Sequence, residues 1–168
     1  MPMGVGRCVR DLRHMVNYRR AHADGGTYFL ILTLRDRRSD VLVRDIDSLR
    51  EAWLAAKRRV PHDVIAVVVL PDHLHALVRM RDARDDYSRL VQDVKKGFTR
   101  RIGMRGRGPW QSRFCEHLIR NDADLRAHID YIHFNPVKHG HAERVADWPH
   151  SSFHGYVRAG ILPRDWAS

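Results

Sequence analysis

The sequence is poor in cysteine and in long apolar runs, and each shortage excludes a class of protein. Two cysteines without a Cys-x-x-Cys pair exclude a cysteine-built zinc site. No apolar stretch reaches the roughly 18 residues that a membrane-spanning helix needs. Residues 1–18 contain no apolar block of the kind found in a secretory signal. We therefore expect a cytoplasmic protein with no membrane partner.

The charge balance points to an anionic partner. Against 20 acidic residues the chain carries 30 lysines and arginines, which gives a net charge of +10 over 168 residues. Such a field attracts polyanions, of which nucleic acid is the commonest in a cytoplasm. Most of the excess is arginine, which makes two-pronged contacts with phosphate and stacks on unpaired bases. The composition favours a nucleic-acid-binding protein associated with the nucleoid.

Hydrophobic periodicity predicts an alternation of strands and helices. Strands are predicted at 27–34, 64–70, 73–80 and 115–120, and helices at 45–60, 87–102 and from Asp122 or Asp124 to about Asn135, where Pro136 is expected to end the helix. The order strand, helix, strand, strand, helix, strand is the split β-α-β pattern, an antiparallel sheet with helices on one face. We expect a basic, partly disordered N-terminal arm over 1–24, a catalytic domain over 25–136 and a packed C-terminal tail over 137–168.

The histidine pair in Pro71-Asp72-His73-Leu74-His75 is the most informative motif. Residues two apart on a strand point to the same face, so both imidazoles project together while Leu74 points into the core. Two neutral imidazoles held by a sheet form half of a metal site. A solvated His-x-His face is the plain alternative.

The last predicted helix supplies a matching pair of residues. Tyr131 and Asn135 are four apart and share one face. A divalent cation bound by His73, His75 and Asn135 would polarise a phosphate and let Tyr131 act as nucleophile. The alternatives are a tyrosine that only packs and an asparagine that only caps the helix. His133 and His139 are two further candidate metal ligands, but their position on a helix next to a loop favours solvated side chains.

Six ordered motifs carry a resemblance to a known family. They are Asn17-Tyr18-Arg19-Arg20, Gly26-Thr27-Tyr28-Phe29, Pro71-Asp72-His73-Leu74-His75, Trp110-Gln111-x-x-Phe114-x-x-His117, Tyr131-Ile-His-Phe-Asn135-Pro136-Val137-Lys138-His139-Gly140 and Trp148-Pro149-x-Ser151-Ser152-Phe153. From about residue 17 onward the chain resembles the single-tyrosine HUH transposases, and among them the REP-associated tyrosine transposases. The resemblance implies a ferredoxin-like α+β fold and a 5′-phosphotyrosine intermediate on single-stranded DNA. It also implies Mg²⁺ or Mn²⁺ as cofactor and a preference for hairpins of repetitive extragenic palindromes (REP).

The hypothesis is therefore an enzyme that cleaves and rejoins single-stranded DNA, as a monomer or a homodimer. The residues expected to contact DNA are Tyr18, Arg19, Arg20, Lys95, Lys96, Arg100 and Arg113. One rival is a domesticated DNA-binding protein that keeps the fold and the charge but does not cut. Another is a zinc hydrolase built on His73 and His75, which is weaker because residues 76–79 offer no further ligand.

Overall fold

The computed structural model describes residues 25–81 and 86–167. The predicted N-terminal arm, with Tyr18, Arg19 and Arg20, lies outside the described residues. The elements are β1 (Thr27–Thr33), α1 (Val41–Arg44), α2 (Ile46–Arg59), β2 (His62–Val69), β3 (His73–Met80), α3 (Tyr87–Arg101), β4 (Cys115–Leu118), α4 (Asp122–Lys138), a 3₁₀ helix (Val145–Asp147) and α5 (Phe153–Arg158).

The four strands form one antiparallel sheet in the order β2-β3-β1-β4. Strand β3 lies between β2 and β1, and His75 pairs with Ile31 on one side and Val68 on the other. This is the arrangement that the split β-α-β pattern predicts, since β3 is inserted between two strands joined by a helix. The predicted α+β class is confirmed.

The two faces of the sheet are covered by different helices. Leu30 and Ala76 lie in one apolar cluster with residues of α2 and α3, whereas Phe29 and Leu77 lie in a second cluster with Ile132 of α4. The expectation of helices on one face therefore describes α2 and α3, while α4 packs on the opposite face. The cause is β3, which is buried at every position except Arg79 and so needs cover on both faces.

Helix α4 continues through Pro136, so the prediction that this proline ends the helix is wrong. A proline inside a helix removes one backbone hydrogen bond and costs about 3 kcal/mol. The last turn nevertheless closes, because the backbone N–H of His139 donates to Asn135 at 3.1 Å and that of Gly140 donates to Val137 at 3.0 Å. The extra turn carries Lys138 and His139 onto the face of the sheet that holds the histidine pair.

The chain after α4 is attached to the outer edge of β2. The N–H of Val69 donates to the carbonyl of His150 at 2.9 Å, and the N–H of Ser152 donates to the carbonyl of Val67 at 2.8 Å. The indole N–H of Trp148 also donates to the carbonyl of Val69 at 2.9 Å. These bonds satisfy backbone groups that an edge strand would otherwise expose. None of the helices in the described part of the chain is both long and apolar enough to cross a membrane.

Candidate active site

The histidine pair is fixed by strand pairing on both sides. His73 and His75 are respectively 5% and 1% exposed, and their ring centroids lie 5.0 Å apart at an interplanar angle of 76°. Because β3 is hydrogen-bonded to both neighbours, neither imidazole depends on a loop for its position. The alternative of a solvated His-x-His face does not apply to this pair.

Asp72 sets the orientation of the first imidazole. The Nδ1 of His73 lies 2.7 Å from Oδ1 of Asp72, and Arg37 holds the other carboxylate oxygen with its Nε at 2.7 Å. With Nδ1 donating to the carboxylate, the lone pair resides on Nε2, the form in which histidine binds metals. Burial lowers the pKa of His73, an effect that the hydrogen bond to Asp72 opposes. The ring is therefore neutral near pH 7.

The second imidazole is buried among rings. His75 stacks on Phe29 at 5.6 Å between centroids and meets the Tyr131 ring at 5.5 Å, nearly at right angles. Burial places the pKa of His75 well below its ordinary value. Neither ring nitrogen has a hydrogen-bond partner among the described residues. Such an orphaned polar group is costly in an interior unless a ligand satisfies it.

Helix α4 presents three polar residues to the pair at successive turns. Tyr131 touches His75, and His139, eight residues later, lies 5.1 Å from the ring of His73. Asn135 falls midway on the same face, is fully buried, and has neither amide atom bonded to another described residue. The helix thus places a phenol and an imidazole against the two strand histidines, with a buried amide between them on the same helical face.

The resulting pocket is small and positively charged. Its volume is about 120 Å³, and its walls include His73, His75, Tyr131, His139, Arg37 and Arg113. The ammonium of Lys138 lies 4.6 Å from the centroid of the Tyr131 ring. A pocket with these cations and a phenol suits a phosphate group.

Comparison with known proteins finds relatives that align with almost the whole chain. The chain is 45% identical over 153 residues to the REP-associated tyrosine transposase of Escherichia coli K12. This alignment covers 91% of this chain and 92% of that protein. The chain belongs to the REP-associated tyrosine transposases. A Haemophilus influenzae protein assigned to the same family is 42% identical over 164 residues, covering 90% and 93% of the two chains. No family model matches the chain.

The fold comparison agrees with the sequence comparison. A solved structure of a REP-associated tyrosine transposase bound to a REP hairpin matches with a TM-score of 0.87 and 45% identity, covering 92% of each chain. The resemblance inferred from six motifs is confirmed, and the protein is a tyrosine transposase.

The basic residues of this transposase form a groove beside the pocket. Lys95, Lys96 and Arg100 of α3 line a cavity of about 600 Å³ together with the arginines of the loop that follows α3. Gln111 lines both this cavity and the pocket, so the two are adjacent. Lys96 and Arg100 are exposed, as phosphate-binding side chains need to be.

Lys95 has a different environment from the other two. Its ammonium donates to the carbonyl of Gln111 at 2.8 Å and lies 5.5 Å from the centroid of the Phe114 ring. Burial lowers the pKa of Lys95 to about 8. Its contacts hold the segment between the groove and the pocket, whereas Arg113 is exposed at the pocket itself.

Sequence reasoning missed four residues around the transposase centre. Three of them contact the histidine pair or Tyr131, namely Asp72, Lys138 and His139. The fourth, Arg37, contacts Asp72 and lines the pocket. Asp72 directly precedes His73, which was an available signal, whereas the position of Arg37 depends on the fold. His139 is exposed as expected, but its ring lies against His73.

His133 was expected to be solvated, and that expectation is wrong. It is fully buried, and its Nε2 lies 3.0 Å from the hydroxyl of Ser152. Aromatic rings of the C-terminal segment surround it, with that of Tyr156 at 4.8 Å. Burial lowers the pKa of His133 to about 4. The histidine therefore belongs to the packing between α4 and the C-terminal segment.

Proposed function

We propose that this transposase cleaves and rejoins single-stranded DNA through a 5′-phosphotyrosine link at Tyr131, with Mg²⁺ or Mn²⁺ as cofactor and REP-type hairpins as substrate. The observation that carries the proposal is the contact between Tyr131 and His75 inside a cationic pocket. A tyrosine that served only packing would have no need of two strand histidines beside it.

The residues present fit a divalent cation. His73 offers a lone pair at Nε2, His75 has two unpartnered nitrogens among the described residues, and Asn135 has an unpartnered amide oxygen. These three residues would hold the metal through two imidazoles and one hard oxygen donor. When bound, the cation would neutralise the negative charge that develops on the phosphate oxygens.

The chain's own groups account for the remaining chemistry. The Tyr131 oxygen attacks the scissile phosphorus and loses its proton, while the bond from phosphorus to the 3′ oxygen breaks and that oxygen leaves as a hydroxyl. The 5′ phosphate stays on the tyrosine. A 3′ hydroxyl from another end reverses the step, so the phosphodiester energy is conserved. Arg37, Arg113 and Lys138 attract the phosphate to the tyrosine.

The substrate proposal depends on the groove and on the hairpin-bound relative. Exposed Lys96 and Arg100 line a cavity that shares the wall residue Gln111 with the pocket. A DNA backbone lying along these residues would be led to Tyr131. The relative with 45% identity and a TM-score of 0.87 was solved with a REP hairpin, which supports a similar substrate for this protein.

The decisive experiment compares Tyr131→Phe with the wild type on a hairpin oligonucleotide that carries a 3′ label on the single-stranded flank. The wild type is expected to give a labelled protein–DNA adduct on denaturing gels in Mg²⁺ or Mn²⁺ and none in chelator. Tyr131→Phe should give no adduct. Tyr156→Phe is the matched control, since the hydroxyl of Tyr156 donates to the carbonyl of Ile65 at 2.8 Å and lines no part of the pocket.

Each rival has its own result in this assay. An adduct formed by Tyr131→Phe at the wild-type rate would overturn the assignment of the nucleophile. Hairpin binding without cleavage in either metal would favour the domesticated DNA-binding protein. Cleavage without an adduct, dependent on retained zinc, would favour the hydrolase.

A further inference from the structure

A second cluster of metal-binding side chains lies on the far side of Phe29 from the histidine pair. His117 is on β4, and Asp124 and His128 are on the first two turns of α4. The centroid of the Phe29 ring lies 4.7 Å from the centroid of the His128 ring and 5.6 Å from that of the His75 ring. The cluster is therefore a separate site on the same face of the sheet.

The donor atoms of the cluster are as close together as the ligands of a metal ion. The Nε2 of His117 lies 2.8 Å from Oδ2 of Asp124. The Nδ1 of His128 lies 3.1 Å from Oδ1 of the same carboxylate and 2.8 Å from the backbone carbonyl of Asp124. One ligand atom from each residue falls within 4.8 Å of the others. Ligands at about 2.0–2.2 Å from a tetrahedral zinc are themselves separated by about 3.3–3.6 Å, so these side chains need to move apart by only a few tenths of an ångström to bind one.

The chemistry of the set suits a transition metal. Two imidazoles and one carboxylate are the ligands that zinc uses when a fourth position is left open to water or substrate. Asp124 and His128 are four apart on a helix, the spacing that brings two ligands to one face. The rings of His117 and His128 are stacked, with 4.9 Å between centroids and an interplanar angle of 14°, and one nitrogen of each ring lies beside the carboxylate.

The carboxylate is held in place by its own surroundings. The N–H of Arg120 donates to Asp124 at 3.0 Å, and the N–H of Asp124 donates to the capping side chain of Asn121 at 2.9 Å. Burial alone would raise the pKa of Asp124, but the hydrogen bonds from His117 and Arg120 and the nearby histidines lower it. The charged, oriented carboxylate is what a cation needs.

We propose that His117, Asp124 and His128 form a second metal site that binds Zn²⁺ or a similar divalent transition metal. The side chain of His128 is 9% exposed, that of Asp124 21% and that of His117 32%, so the site is open on one side to an entering ion. Binding displaces the protons shared between the imidazoles and the carboxylate. The metal ties β4 to α4 and braces the helix one turn before Tyr131.

The test is Zn²⁺ titration of the full chain by calorimetry, with Co²⁺ absorption as a second readout. Wild type is compared with Asp124→Asn and His117→Gln, in both the native background and a His73→Ala/His75→Ala background that removes the first centre. Asp122→Asn is the matched control, because Asp122 lies in the same helical turn but is exposed and outside the cluster. Circular dichroism checks that each variant is folded.

The expected result is one Zn²⁺ per chain in the background without the first centre, with its Kd raised at least about 100-fold by Asp124→Asn or His117→Gln. In the native background the same substitutions should remove one bound Zn²⁺, and Asp122→Asn should change nothing. Equal Zn²⁺ binding by the wild type and both cluster variants would overturn the proposal, as would a folded wild type that binds no Zn²⁺ at this cluster.

Discussion

Replacing Asp72 with asparagine should weaken metal binding at the histidine pair without destroying the pocket. The carboxylate is 7% exposed and accepts the Nδ1–H of His73 at 2.7 Å. Asparagine keeps the shape but removes the charge, and a hydrogen bond to a charged group contributes about 1.5–3 kcal/mol. Removing a residue that hydrogen-bonds a metal-ligating side chain typically lowers metal affinity about 10–100-fold, which is about 1.4–2.7 kcal/mol. The two ranges overlap, so we expect Asp72→Asn to lower the metal affinity of the histidine pair by that amount.

The assay is adduct formation on a hairpin oligonucleotide at increasing Mn²⁺. Asp72→Asn should raise the half-saturating Mn²⁺ concentration about 10–100-fold, and saturating Mn²⁺ should restore most of the rate. Asp36→Asn is the control, because Asp36 is an exposed carboxylate in the same region that pairs with Arg38. An unchanged Mn²⁺ requirement, or a rate that saturating Mn²⁺ does not restore, would refute the role given to Asp72.

Three further predictions concern DNA, pH and the loop after α3. The double variant Lys96→Ala/Arg100→Ala should reduce the slope of log Kd against log salt concentration by about 1.4 for single-stranded DNA, if each side chain contacts one phosphate. Fluorescence anisotropy measures this slope, and an unchanged slope would place the DNA elsewhere. Because burial lowers the pKa of His133 to about 4 from 6.5, the folded state binds fewer protons than the unfolded state between these values. The contribution of His133 to the free energy of unfolding is fully present above pH 6.5 and is lost as the pH falls through this window. The loss from this one group is about 3 kcal/mol at most. Urea titrations of His133→Gln should therefore show a shallower fall in the free energy of unfolding than the wild type. Gly108→Ala should lower the Tm more than Gly106→Ala, because both have positive φ but only at Gly108 would the new Cβ lie 2.6 Å from a threonine hydroxyl; equal losses would exclude that clash.

Hydrophobic periodicity along the sequence was sufficient to predict much of the fold. The alternation along β3 placed His73 and His75 together and Leu74 on the other face, because a pleated strand allows no other arrangement. The order of strands and helices then implied the position of β3 inside the sheet. Helical spacing likewise put Tyr131 and Asn135 on one face of α4. These inferences depend on neighbours in sequence, which is why they were available.

Contacts between distant segments were beyond the reach of local patterns. Pro136 is a helix-breaking residue by its own chemistry, yet the helix passes through it and brings His139 to His73. His133 had the sequence setting of a surface residue, and only the folding of the C-terminal segment onto α4 buries it. A side chain's burial and its distant partners are properties of the packed molecule, so a single sequence does not state them.

By itself, the sequence determined the paired imidazoles, the phenol and amide one turn apart, and the alternation of elements that makes the sheet, because each follows from backbone geometry over a few residues. Only the tertiary structure decided that α4 packs on the opposite face from α2 and α3, and that Tyr131 meets His75 there. The physical reason is β3, whose two apolar faces must both be covered, so that the helix covering the second face carries the tyrosine to the histidines.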